Sequence, residues 1–104
     1  MTQLTDARKT FKVKLPSYPD VEVVLYDGLL TGQFGLLEKI EGDYDKGLKS
    51  LEFLMQSWSF VDEKEEPLPI TIDNLKKLPA KDFTVLMNRL EELMKEDEGK
   101  KKKN

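Results

Sequence analysis

Two short runs of alternating residues near the start of the chain constrain its architecture more than any other feature. Phe11, Val13 and Leu15 are interleaved with Lys12 and Lys14, and Val21, Val23 and Leu25 follow with Glu22 and Val24 between them. A period of two sends successive side chains to opposite faces of a strand, so each run buries one face and leaves the other in water. Pro16, Ser17, Tyr18, Pro19 and Asp20 interrupt the pattern. The spacing predicts an antiparallel hairpin around a proline-bearing loop.

After Asp27 and Gly28 the period changes to that of a helix. Leu30, Phe34, Leu37 and Ile40 predict a short helix over 30–41, started near Asp27 or Thr31 and stopped at Gly42. Gly32 and Gly35 each weaken it by up to about 1 kcal/mol relative to alanine, so packing must hold it. Tyr44, Leu48, Leu51, Met55 and Trp58 trace a stripe that predicts a second helix over 44–57, with Asp43 as its cap. From Trp58 to Ile70, two apolar patches flank the charged tip Asp62-Glu63-Lys64-Glu65-Glu66, a loop or weak hairpin in which Pro67 and Pro69 exclude a central strand. Thr71 opens a short helix with Leu75 and Leu78 facing inward, and Pro79 ends it.

In the last helix Phe83, Leu86, Met87, Leu90 and Met94 share one face, while Lys81, Asp82, Asn88, Arg89, Glu91, Glu92 and Lys95 fall mostly elsewhere; it fades near Glu96. The sum is an α+β fold: a small helix-dominated domain with an N-terminal β-hairpin and three to four helices. Residues 1–9 form a flexible N-terminus, 10–96 a single globular domain and 97–104 a flexible charged tail.

Composition narrows the function. The chain of 104 residues has no cysteine and no histidine, which removes disulfides, thiolate metal sites and the usual groups that titrate near neutrality. Ser17, Ser50, Ser57 and Ser59 lie in no nucleophile-elbow context, and a serine without a base is unreactive. The acidic tip lacks the ligand spacing and glycine turn of a calcium loop, as do Asp43 and Asp45, and reads as solvated. Gly28, Gly32 and Gly35 miss the phosphate-loop spacing. Lys100 to Lys103 end the chain in a basic run without interleaved aromatics, and the net charge is −3, a balance that argues against a dedicated nucleic-acid binder. No stretch has the length of a membrane span and the first residues lack a secretory signal. The expectation is a non-enzyme with no cofactor and no metal.

What remains is binding. Phe53 and Leu54 flank the stripe of the second predicted helix and leave an apolar arc wider than a small two-layer domain covers. Flexible methionines can repack against varied apolar partners. The candidate protein-contact residues are Phe53, Met55, Trp58, Phe60, Met87 and Met94. Each also fits a core position. For Trp58 the two roles separate experimentally: a core tryptophan costs about 3–5 kcal/mol on truncation to alanine, whereas a contact tryptophan leaves folding intact and abolishes partner capture.

The order of these segments resembles a known family. The Phe11-Lys12-Val13-Lys14-Leu15-Pro16 strand, Gln56-Ser57-Trp58-Ser59-Phe60, the connector Val61-Asp62-Glu63 to Pro67-Leu68-Pro69-Ile70-Thr71, and Asn74-Leu75, Leu78-Pro79, Asp82 and Leu86 are similar to tail assembly chaperones of long-tailed (siphovirus-type) bacteriophages and prophages, over residues 10–96. Several such chaperones have a glycine in the connector, where Glu65 and Glu66 stand here. The resemblance implies a protein of the host bacterial cytoplasm that acts during virion assembly and leaves no trace in the finished particle. It would coat the tape measure protein, keep it soluble and help bring in tail tube protein, with self-association among its possible contacts. Family members are often made in two lengths by a programmed frameshift, and Gly99 followed by Lys100 to Lys103 fits purine-rich, slip-prone codons. The alternative is a small structural component of the phage tail or head-tail connector.

Overall fold

The computed structural model describes residues 2–102, with side chains through Leu93. Strands β1 (Thr10–Leu15) and β2 (Tyr18–Tyr26) form the expected hairpin. Helices α1 (Thr31–Glu38) and α2 (Asp43–Leu54) follow, then strand β3 (Met55–Trp58), the short helix α3 (Ile72–Leu75) and the long helix α4 (Ala80–Lys102). The antiparallel sheet has the order β1-β2-β3, so the fold is α+β as the periodicities indicate.

The hairpin turn is tighter than the prolines imply. Leu15 pairs with Tyr18, and Tyr18, Pro19 and Asp20 belong to β2, with a register irregularity between Val13 and Leu15. Proline is tolerated in this central strand because β3 pairs only with Val23, Val24 and Leu25. Beside Pro19, β2 has no neighbour on its β3 side and needs no amide donor there.

β3 is the largest departure from the periodic reading. The helix predicted to continue to 57 stops at Leu54, and Met55 to Trp58 extend antiparallel to β2. Tyr44 and Leu48 do lie on α2, but Trp58 is on a strand, and Tyr44 is exposed. Pairing satisfies backbone groups along the second edge of β2, a demand that a helical stripe cannot reveal.

Fully buried Leu15, Val23, Leu25, Leu48, Leu51, Leu75 and Leu86 form the centre, where α2, α3 and α4 meet the sheet. Lys12 and Glu22 on the hairpin stay in solvent and approach each other at 3.5 Å. Gly47 leaves room for α4 to pack against α2: a Cβ added there would lie 2.8 Å from Met87 Cε. Gly42 does not end α1. It is the N-cap of α2 at φ +91°, a conformation that excludes most side chains, and Asp43 sits one position inside the helix.

Helix α1 is less buried than its spacing suggests. Leu37 is covered and Ile40 half-buried, but Leu30, Phe34 and Leu36 face water. The start of α1 is held by Gln33, whose Oε1 accepts the Leu30 N–H at 2.8 Å. The segment before β1 is tied down: Arg8 lies 3.7 Å from the Tyr26 ring centroid, donates to the Gly28 carbonyl at 3.2 Å and pairs with Asp6 at 2.8 Å. The Arg8 side chain and amide hold the Asp6 carboxyl at about 2. Helix α4 runs to Lys102, past the fade expected at Glu96. The side chains of Met94 and of the 97–104 tail lie outside the described residues.

Candidate protein-binding groove

The site grows out of the loop that joins β3 to α3. Trp58 ends β3 opposite Val23, and Ser59 continues the pairing, its amide donating to the Glu22 carbonyl at 2.9 Å. Phe60 then turns against the sheet. It meets Trp58 edge-to-face with centroids 5.1 Å apart, and Tyr18 from β2 edge-to-face at 5.0 Å. Such T-shaped contacts place the positive rim of one ring against the negative face of the next, each worth about 0.5–1.5 kcal/mol beyond burial.

The connector closes over this corner. Trp58 Nε1–H donates to the Leu68 carbonyl at 2.6 Å, and the Leu68 amide donates to the Phe60 carbonyl at 3.0 Å. Val61 and Pro67 form an isolated bridge. The charged tip between them is a turn built on Asp62, whose carbonyl accepts from Glu65 and whose Oδ1 accepts from the Lys64 and Glu66 amides. Glu65 takes φ +62°, the left-handed region that favours glycine.

On the far wall Thr71 caps α3, its Oγ1 accepting the Asn74 amide at 3.1 Å, as the sequence indicates. Asn74 Nδ2 donates to the Pro69 carbonyl at 2.8 Å and fixes the connector to the helix. Together Tyr18, Trp58, Phe60, Leu68 and Leu78, with Asn74 and Lys77 at the rim, line an open groove of about 180 Å³. A dry engineered cavity of roughly 150 Å³ holds benzene, so the groove has room for one aromatic ring or large aliphatic side chain.

Of the six candidate contact residues, Trp58 and Phe60 come together here. The others are dispersed. Met55 is core, only 6% exposed, because it is the β3 residue that pairs with Leu25 beneath the helices. Met87 fills the space that Gly47 leaves between α2 and α4. Phe53 is half-buried on α2, with the Lys49 ammonium 5.1 Å from its ring. Met94 lies outside the residues whose side chains are described. Tyr18, Leu68 and Leu78 complete the groove although the sequence marked none of them as contacts.

Asp82 is a further residue whose surroundings differ from the periodic reading. Placed on the polar side of the last helix by pattern, it is fully buried in the first turn of α4. Its Oδ1 accepts the Ser17 amide at 2.9 Å, which ties the helix start to the hairpin turn, and Oδ2 is buried with no partner. Burial pushes its pKa up, but the Ser17 hydroxyl and amide, with the Lys81 charge and its own amide, outweigh this and hold it below the ordinary carboxylate value. A legible signal existed: Asp82 lies four residues before Leu86 and eight before Leu90, on the buried stripe.

Among the described residues no group of three or more carboxylates is placed to hold a metal ion, and no helix is long and apolar enough to cross a membrane. The groove offers apolar surface and hydrogen-bonding rims but no nucleophile paired with a base. Compared with known proteins, the chain matches no family model, no curated protein and no solved structure.

Proposed function

We propose that this chain is a phage tail assembly chaperone of the host bacterial cytoplasm, which binds the tape measure protein, keeps it soluble and helps recruit tail tube protein. One observation carries the reading. Three of the four segments on which the family resemblance rests, the Trp58 strand, the connector and the Asn74 to Leu78 stretch, follow one another in the chain and fold back to wall a single open aromatic groove. The fourth, the Phe11 to Pro16 strand, leads directly into Tyr18 on the same groove.

The chemistry suits the task. A long amphipathic helical partner exposes apolar side chains that aggregate in water, and covering them takes many modest apolar contacts and no bond making or breaking. Exposed Phe34 and Leu36 on α1, with Leu30 just before it, add apolar surface away from the groove. The charged residues between these patches keep the free protein in solution.

Co-expression with the product of the long helical reading frame expected downstream tests the reading directly. The chaperone should raise the soluble fraction of that product, and no gain in solubility refutes it. Mass spectrometry of purified virions separates this role from that of a small structural component of the tail or head-tail connector, which would be present in particles.

A further inference from the structure

We infer that the groove selects a cationic amphipathic segment: a helix that inserts one aromatic or large aliphatic anchor against Trp58 and sets a lysine or arginine beside the acidic tip of the connector. The inference rests on the chaperone reading and specifies the partner chemistry for the same site.

The groove does not stand alone. Leu68 and Lys77 belong both to its wall and to that of a shallow, wetter cleft of about 530 Å³, which also presents Asp62, Glu63, Lys64 and Glu66. An anchor that fills the apolar part therefore places its flanking residues over these carboxylates. The tip from 62 to 66 carries four carboxylates against one lysine. Among the described residues, Glu63, Glu65 and Glu66 form no ion pair within the chain. Asp62 is committed to the turn through Oδ1, which leaves Glu63 and Glu66 as the side chains free to meet a cation.

Helical neighbours at i+3 or i+4 share a face, so an anchor and a basic residue at that spacing would engage both parts of the site. An acidic flank would meet like charge, which costs affinity and slows encounter. Lys64 on the tip and Lys77, which lines both parts of the site, oppose a cationic partner, so removing the charge of Lys77 has a sign opposite to that of removing the glutamates.

Trp58 is the sole tryptophan of the chain, so its emission reports occupancy of the groove without a label. The probe is a synthetic amphipathic helix of about 18 residues, roughly five turns, with leucine and phenylalanine on one face and lysine and arginine beside it. A second peptide replaces the basic residues with glutamate, and a third replaces the anchors with alanine. The cationic peptide should shift Trp58 emission and bind at least about tenfold more tightly than the acidic one, with a preference that fades at high salt.

Glu63→Lys with Glu66→Lys should erase the preference, and Lys77→Glu should strengthen it. All three positions are exposed and leave the Asp62 turn intact, and unchanged melting curves verify folding. Equal binding of the two charged peptides, loss of affinity in Lys77→Glu, or binding without a change in Trp58 emission would overturn the inference. Should these fail while co-expression still solubilises the tape measure product, the chaperone reading survives without this charge rule. Preferential capture of the cationic peptide without any solubilisation would sustain the charge rule and remove the chaperone reading.

Discussion

The centre of the molecule and its aromatic groove are both apolar, yet they are built differently. The centre is aliphatic: Leu15, Val23, Leu25, Leu48, Leu51, Leu75 and Leu86 are essentially sealed from water. The groove is lined by Tyr18, Trp58, Phe60, Leu68 and Leu78, all only half-buried, and its rings are held by edge contacts and by one indole hydrogen bond. Branched aliphatic side chains interdigitate densely and define a core. Large rigid rings with a polar handle instead keep their shape while partly exposed, which is what a contact surface requires. The difference separates residues that make the fold from residues the fold presents.

The largest expected effect breaks the aliphatic side of the comparison. Leu51→Ala should cost about 2–5 kcal/mol in chemical denaturation, as for other buried leucines. Leu68→Ser, on the groove wall, should cost far less in the same measurement while reducing partner capture. Equal losses at the two sites would erase the distinction. Trp58→Ala should fall between, near 3 kcal/mol, at the low end for a tryptophan because part of the ring is already in water. Its ring is half-buried and holds the connector through the Leu68 carbonyl, so truncation carries a folding cost, and partner capture is compared only under conditions where the variant stays folded.

Smaller changes sharpen the picture. Trp58→Phe keeps an aromatic edge but removes the donor to the Leu68 carbonyl, and should cost about 1 kcal/mol by thermal or urea unfolding. Glu65→Gly should stabilise the chain by up to about 1 kcal/mol, because glycine adopts the observed φ of +62° without strain. Glu65→Ala should not give that gain. If both variants behave alike, the left-handed turn is not what limits the connector.

The smallest effect appears only in acid. Asp6 and Asp82 both have folded pKa values below the ordinary 3.8. A lowered folded pKa means that the unfolded chain binds the proton first, so the stability these groups contribute is complete above about pH 4 and is lost as pH falls through their folded values. For Asp6 that loss extends down to about 2. Asp82→Asn should flatten the acid limb of the stability profile. The profile is read from denaturant midpoints between pH 2 and 5, and an unaltered acid limb in Asp82→Asn would contradict the burial and Ser17 contact of this carboxylate.

Much of the fold was written locally. Alternation in 11–15, resumed at Val21, Val23 and Leu25, determined the hairpin, since only a strand sends every second side chain to one face. Thr71 and the apolar spacing after Pro79 determined the last two helices through capping and a stripe of leucines. Local sequence could not decide where α2 stops, because Met55 and Trp58 fit the helical stripe as well as they fit a strand. The open edge of β2 decided it, through backbone hydrogen bonds to residues some thirty positions away.

The same holds for the groove. Trp58 and Phe60 stood out as large apolar residues, but Tyr18, Leu68 and Leu78 join them only once the sheet and the connector have folded. Asp82 shows the opposite case, a charge that helical spacing places on the buried stripe and that becomes tolerable only when the Ser17 turn arrives to meet it. Sequence by itself determined which segments could be strand or helix and removed histidine and cysteine chemistry, because periodicity and composition are properties of the chain alone. Tertiary structure decided which apolar residues are sealed and which are displayed, because burial depends on neighbours that the chain brings together from a distance.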